Sequence, residues 1–303
     1  MTKLTFNTEM VFAYGVPVDV APRVQRLVAN NPSVFTHKGT NTYVIGTETL
    51  VVIDPGPEDA AHHDALVRTI AGRPVSHIVI THTHRDHTDG LAALVAATGA
   101  KVAGYGRTAE NPGVMKIGPS GGEFVDADFR PDVVLRHGDR IETGGFALEA
   151  IFTPGHAPDH LCLALAGTGV LFSGDHVMGW NTTVVAPPEG DMGDYYAALE
   201  TLIARGETDK LYLPGHGGEI AEPHRVVRAY LVHRRWREQA ILAAIRAGKP
   251  TIEAIVALIY EKIDSRLVKA ASLSVQAHVE HLIRQGLVAA DGPVGFASAL
   301  RAT

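Results

Sequence analysis

Short apolar runs, each cut off by a glycine, a proline or a polar cluster, recur along the first two thirds of the chain. Residues 39–46 and 49–56 read as two adjacent strands joined by a tight turn, with Pro55 and Gly56 stopping the second. A helical period follows over 58–71, with acids in its first turn and Gly72 beyond its end. His62 and His63 on that stretch are expected to face solvent. The run 75–80 is rich in β-branched residues and has no helical period, which predicts a buried strand. Gly90 opens a helix expected over 91–98, and Gly99 closes it. Further strands are expected at 101–103, 133–135, 146–152, 161–166, 170–172 and 211–213, with a helix over about 194–204. The Gly/Pro-rich stretch through about residue 130 reads as a lid or an insertion.

From about Pro223 the period changes to helical. Pro223 suits a first helical turn, and the helix is expected to run to about Ala247, with Gly248 beyond. Residues 251–263 and 265–285 form two more helical stretches, and 287–289 with 294–296 read as a hairpin around Asp291-Gly292. Three helices and a hairpin make a winged-helix-like unit. The chain therefore divides into an α/β body over 1–222 and a C-terminal unit over 223–303.

Candidate chemistry gathers where the strand 75–80 ends. Thr81-His82-Thr83-His84-Arg85-Asp86-His87 places three imidazoles and a carboxylate within six residues, on a loop between a strand and a helix. In extended backbone His82 and His84 can point the same way. Once the chain turns, Asp86 and His87 point elsewhere, so one loop could serve two metal ions. Neutral imidazole with carboxylate is the donor set zinc takes. An apolar strand and a small-residue turn ending in His or Asp recur at Pro154-Gly155-His156, Ser173-Gly174-Asp175-His176 and Pro214-Gly215-His216. Strand ends converge in space, so these distant ligands can meet at one point. Asp54, at the tip of its strand, reads either as a turn residue or as a carboxylate orienting a ligand histidine.

Composition narrows the setting. The 303 residues, 46% hydrophobic and 20% charged, suffice for a packed core. No apolar run approaches the ~18 residues of a membrane span, and the start lacks a signal-peptide core. Cys162, set between leucines, is the single cysteine and reads as a buried small hydrophobe. A cytoplasmic protein with no membrane partner is expected. The net charge of −6 is unevenly spread: residues 226–303 carry 11 Lys and Arg against 6 Asp and Glu, the remainder 16 against 27. A mildly basic tail on an acidic body suits an anionic ligand but falls short of a nucleic-acid signature.

His82-x-His84-x-Asp86-His87, His156, Asp175 and His216, led by Asp54, resemble the metal motifs of the metallo-β-lactamase superfamily. Gly39-Thr40-Asn41-Thr42-Tyr43, Asn181-Thr182-Thr183-Val184 and His233-Arg234-x-x-Arg237-Glu238-Gln239 are similar to its β-lactamase-like-protein-2 subgroup, whose mitochondrial member is a single-strand-selective endoribonuclease. The resemblance covers essentially the whole chain. It implies an αββα sandwich with the site at one edge and a C-terminal winged-helix-like domain. It also implies two divalent ions, zinc first, with iron or manganese accepted by the same donors. His82, His84 and His156 would hold one ion, Asp86, His87 and His216 the other, and Asp175 would bridge them. A hydroxide between the ions would attack a carbonyl or phosphoryl centre without a protein nucleophile, with Asp86 among the catalytic groups. True β-lactamases of this superfamily carry Cys or Ser where Asp175 stands, which points here to thioesters, lactones or phosphodiesters. His176 reads as a leaving-group acid or as a packing histidine. Asn41, Tyr43, Asn181 and Thr182 are candidates to touch substrate by analogy, as is His160, which better suits a hydrogen-bonding support.

Phosphodiester cleavage in single-stranded RNA is the leading expectation, and hydrolysis of a thioester or other small acyl substrate the second. A winged-helix nucleic-acid reader with a vestigial hydrolase body belongs to another class. Its helix over 271–285 would offer a groove little beyond His278, His281 and Arg284, and its small residues better suit a substrate-shaping cap or a homodimer contact.

Overall fold

Val51 and Ile53 enter one core while Leu50 and Val52, on the other side of the same strand, enter a second. Side chains alternate along a strand, so a run without polar interruption must be covered on both faces. The computed structural model describes residues 4–106, 124–260 and 263–303. One sheet is ordered β1 (Val18–Ala21), β2 (Val24–Val28), β3 (Asn41–Ile45), β4 (Leu50–Ile53), β5 (Val75–Val79), β6 (Lys101–Gly104) and β7 (Val133–Val134). It is antiparallel as far as β4 and parallel beyond it. The second sheet runs β8 (Arg140–Thr143), β9 (Phe146–Phe152), β10 (Leu161–Leu165), β11 (Val170–Gly174) and β12 (Leu211–Pro214), with β11 and β12 parallel. Tyr43, Ile53 and Val79 from one sheet meet Leu148, Leu163 and Phe172 from the other in the inner core. Truncating a leucine there to alanine costs ~2–5 kcal/mol.

Helices close the outer faces. α1 (Ala60–Ile70) and α3 (Leu91–Thr98) cover the first sheet through Leu66, Ile70 and Leu94, and the single turn α2 (Arg85–Thr88) precedes α3. α4 (Met192–Ala204) and the first half of α5 (Pro223–Arg246) cover the second through Tyr195, Leu199, Val227 and Tyr230. The second half of α5 packs Ile241, Ala244 and Ile245 against α6 (Ile252–Ile259), α7 (Val268–Arg284) and the hairpin β13 (Val288–Ala290)–β14 (Leu300–Ala302). α5 thus belongs to both cores. The result is an αββα sandwich carrying a C-terminal winged-helix domain, and β4, β5, β9, β11 and β12 all end at one rim. No helix of the described residues is long and apolar enough to cross a membrane.

Several details differ from the pattern-based expectations. β1 and β2 are unforeseen, because Asp19, Arg23, Gln25 and Arg26 interrupt their apolar run. Arg26 is nevertheless buried, donating to Glu219 at 3.2 Å and to the Val11 carbonyl at 2.8 Å. α1 begins at Ala60, capped by Asp59, whose carboxylate accepts from Ala61 and His62 amides at 2.8 and 3.3 Å. His62 is buried, 2.8 Å from Thr42 Oγ1, and does not face solvent. The second hairpin strand is Leu300–Ala302 and not 294–296. Most of the expected lid or insertion falls outside the described residues.

Candidate metal centre

Each strand that reaches the rim delivers its ligands through a tight turn. The loop after β5 carries His82, His84, Asp86 and His87, the turn after β9 His156, the end of β11 Asp175, and the turn after β12 His216. Backbone pairing holds these loops together: Leu161 N donates to Thr81 O at 2.8 Å, and Asn41 N to Gly215 O at 2.7 Å. Close approach explains two of the glycines. A Cβ on Gly215 would lie 2.4 Å from Asp175 Oδ1, and one on Gly174, at φ +48°, 2.5 Å from His160 Nε2.

All seven expected ligands converge. His84 Nδ1 lies 2.9 Å from His82 Nε2 and 3.0 Å from His156 Nε2. His216 Nε2 is 3.2 Å from both Asp86 Oδ2 and Asp175 Oδ2, and His87 Nε2 is 3.5 Å from Asp86 Oδ2 and 3.7 Å from Asp175 Oδ1. Asp175 Oδ2 also stands 3.8 Å from His156 Nε2, so its carboxylate faces both groups.

The outer hydrogen bonds decide which ring nitrogens carry protons. Thr81 Oγ1 donates its one hydrogen to Asp54 Oδ2 at 2.7 Å, so it must accept from His82 Nδ1 at 3.0 Å. His87 Nδ1 donates to Asp54 Oδ2 at 2.8 Å, His156 Nδ1 to the Val184 carbonyl at 2.7 Å, and His216 Nδ1 to the Gly39 carbonyl at 3.2 Å. Each of these four rings therefore has its Nδ1 proton committed outward and turns Nε2 inward, toward His84 Nδ1 and two carboxylates. Acceptor atoms at 2.9–3.8 Å from one another repel unless protons or a metal cation lie between them. His87 Nε2 and Asp175 Oδ1, both buried, have no hydrogen-bond partner. The donor set thus fits divalent metal, at the spacing expected when each donor sits ~2.0–2.2 Å from an ion.

Electrostatics divides the centre. Burial drives His82, His84 and His156 below the usual imidazole range, which keeps them neutral and ready to ligate. Burial also opposes protonation of His216, but the Asp175 and Asp86 carboxylates outweigh it and push the ring up to about 10. His87 is raised in the same way by Asp86, Asp54 and Asp175. Without metal, protons occupy the carboxylate side; a cation displaces them.

The remaining candidates sit behind the ligands. Asp54 is both a turn residue, at φ +51°, and an orienting carboxylate, since it accepts from Thr81 N at 2.8 Å as well as from Thr81 Oγ1 and His87. Asn41 and Tyr43 stand outside the cleft lining. Both are buried and donate to the Pro214 carbonyl, at 2.8 and 2.7 Å, fixing the turn that carries His216. His160 is likewise a support: its Nε2 accepts the Asp175 amide at 3.1 Å while Nδ1 faces Thr153 Oγ1 at 2.9 Å. His176 does not face the cleft. It is fully buried against Tyr195 and His160, and burial lowers it to about 3, which favours the packing reading. Asn181 and Thr182 are half-buried and stand outside the cleft lining, with Asn181 Oδ1 accepting the Thr182 amide at 2.9 Å.

A cleft open to solvent leads to the ligands. Phe35, Phe124, Met178, Val184, Ala186 and Ala270 line it together with Thr36, His84, Asp86, His156, Asp175 and His216. Sequence reasoning missed the apolar walls. An apolar residue in a loop carries no signal that separates it from packing; only the nearness of Met178 to Asp175 and of Phe124 to a polar turn hinted at them.

The comparisons with known proteins agree with this geometry. Residues 36–216 match the metallo-beta-lactamase superfamily, and residues 251–295 match the beta-lactamase associated winged helix domain. A beta-lactamase-like protein 2 homolog of Drosophila melanogaster is 31% identical over 87% of this chain and 88% of its own. An atrochrysone carboxyl ACP thioesterase of Aspergillus aculeatus is 29% identical over 91% of this chain and 84% of its own. A beta-lactamase domain protein from Burkholderia ambifaria shares the fold, with a TM-score of 0.78 at 20% identity over 97% of this chain and 96% of that one. Taken with the His/Asp metal-binding cluster, these matches place the chain in the metallo-β-lactamase superfamily of hydrolases, with the superfamily's associated winged helix at its C-terminal end.

Proposed function

We propose that this protein hydrolyses a thioester whose acyl group is apolar. The observation that carries the reading is the cleft wall: among the described residues it holds Phe35, Phe124, Met178, Val184, Ala186 and Ala270, and neither Lys nor Arg. An RNA backbone needs cations along its path, so the expectation of RNA cleavage gives way here. Four of the eleven cations in the C-terminal part are held in ion pairs. Arg235 pairs with Glu200 at 2.7 Å, Arg284 with Asp191 at 2.6 Å, Arg266 with Asp264 at 2.7 Å and Arg301 with Asp291 at 2.8 Å. A groove-reading role for α7 meets the same difficulty, because Ala271, Ser272, Ser274, Ala277 and His278 are buried in packing.

On this reading His82, His84 and His156 would hold one ion and Asp86, His87 and His216 a second, with Asp175 serving both; the donors would accept zinc, iron or manganese. Divalent cations held there supply Lewis acidity, acidifying water and polarising the carbonyl. The chain supplies the rest. Thr40 Oγ1 donates to Asp86 Oδ2 at 3.0 Å, which turns that carboxylate toward the cleft to orient the attacking water. The apolar walls exclude bulk water from the acyl group and hold it against the ligands. No side chain of the described residues is placed as a nucleophile; Cys162 is buried in the outer core, and burial raises its thiol to about 12.

A panel of coenzyme A and pantetheine thioesters, tested beside single-stranded RNA on the metal-loaded protein with His84→Ala as control, decides the matter. Chelator-sensitive thioester hydrolysis is the expected result. RNA cleavage with no thioester turnover would overturn the reading.

A further inference from the structure

Residues 175–184 form a stretch with neither helix nor strand, yet they serve the metal centre at both ends. Asp175 supplies its carboxylate at one end. At the other, the Val184 carbonyl accepts from His156 Nδ1 at 2.7 Å and so fixes which nitrogen of that ring faces metal. A stretch of irregular backbone takes its shape from whatever satisfies its polar groups.

Here two side chains of α5 do much of that. Tyr230 Oη lies 2.5 Å from the Met178 and Asn181 carbonyls and accepts the Met178 amide at 3.2 Å. Four residues further along the same face, Arg234 Nη2 donates to the Thr183 carbonyl. Thr183 passes the constraint onward, its hydroxyl 2.7 Å from the Asp175 carbonyl and 3.1 Å from that of His176. Tyr195 Oη donates to the His176 carbonyl at 2.8 Å, and the Arg234 guanidinium stands 5.3 Å from the Tyr195 ring centre. Tyr230 and Arg234 are both buried, and the hydrogen bonds named here go to backbone atoms and not to ligand side chains. This gives a role to Arg234 of the His233-Arg234-x-x-Arg237-Glu238-Gln239 run.

We infer that Arg234 and Tyr230 are positioning residues of the metal centre: Arg234 through Thr183, and Tyr230 through the Met178 and Asn181 backbone, fix where Asp175 and the Val184 carbonyl stand, so α5 sets metal affinity. The effect holds for any substrate the centre acts upon. It places part of the ligand geometry in a helix that also forms the core of the winged-helix domain.

The test uses the full chain, with zinc titrated against a chromophoric chelator, and unfolding of the metal-free protein followed by circular dichroism. Arg234→Met removes the donor, and Thr183→Val removes the hydroxyl at constant shape. Arg234→Lys restores one donor. Support of this kind is worth roughly 10–100-fold in metal affinity. Arg234→Met and Thr183→Val are expected to weaken zinc by that factor, and Arg234→Lys to recover most of it. If Arg234→Met does not fold, Thr183→Val decides alone. The inference is overturned if the folded variants bind zinc within twofold of the parent while only the metal-free unfolding midpoint falls, which is what a merely structural role predicts. It is equally overturned if Arg234→Lys binds as weakly as Arg234→Met.

Discussion

Asp54→Asn is a substitution of one atom that should disturb both halves of the metal centre. The carboxylate accepts three hydrogen bonds, from Thr81 N at 2.8 Å, Thr81 Oγ1 at 2.7 Å and His87 Nδ1 at 2.8 Å. An amide has one oxygen, and its nitrogen cannot accept. If that oxygen stays on the Thr81 amide, the NH₂ faces His87 Nδ1 and Thr81 Oγ1 and donates to them. His87 must then carry its proton on Nε2, the atom that faces the ligand cluster. The Thr81 hydrogen, pushed off Asp54, turns toward His82 Nδ1, 3.0 Å away, and transfers the same error to His82. One charge lost thus favours the wrong tautomer of two ligands on opposite sides of the centre. The backbone is not the cause, because asparagine tolerates the left-handed conformation that Asp54 adopts at φ +51°.

Loss of such orienting partners weakens metal binding by roughly 10–100-fold, or ~1.4–2.7 kcal/mol. Stepwise zinc affinities from chelator competition would show both constants reduced, the one on the His87 side more, since His87 loses its direct partner while His82 is reached only through Thr81 Oγ1. Two zinc ions bound with parental affinities would refute the reasoning.

Metal loading should release about two protons at mildly alkaline pH, since His216 and His87 are held protonated by their carboxylates in the metal-free protein; calorimetry in buffers of different ionisation heat reads this, and no buffer dependence would contradict it. By the same linkage, protonated His216 stabilises the metal-free fold fully below its ordinary value of 6.5, and that contribution is lost as pH rises through about 10. The metal-free unfolding midpoint should therefore fall across this window while the metal-loaded one holds. Gly215→Ala drives a Cβ to 2.4 Å from Asp175 Oδ1 and 2.8 Å from His87 Cε1; elemental analysis should find depleted metal, and a full complement would sink the close-approach argument. Ala270→Phe should shorten the acyl chain the cleft accepts, at ~0.8 kcal/mol, or roughly fourfold in kcat/KM, for each methylene denied its place; a loss uniform across chain lengths would dismiss Ala270 as a wall.

What could be seen in the sequence follows from how few solutions each task allows. A metal accepts few donor types, and a rim of strand ends is where they gather, so His82, His84, Asp86, His87, His156, Asp175 and His216 stood out before any coordinates. Supporting roles are harder, because a buried polar side chain declares its chemistry but not its direction. Asn41, Tyr43 and His160 look like substrate contacts in one dimension; folded, they turn away from the cleft and hold the Pro214 carbonyl and the Asp175 amide. His62 misleads in the same way, as does Arg26, whose charge concealed a core strand. Walls are hardest of all. A cleft wall asks only for shape and apolarity, and Phe35, Phe124 and Ala270 satisfy that with residues indistinguishable from packing, brought together from three regions far apart in the chain. Reaction class is therefore written in donors and substrate class in residues with no chemistry of their own, which is why a subgroup resemblance and a basic tail led to the expectation of RNA while the walls on which the proposed acyl substrate rests left no mark in the sequence.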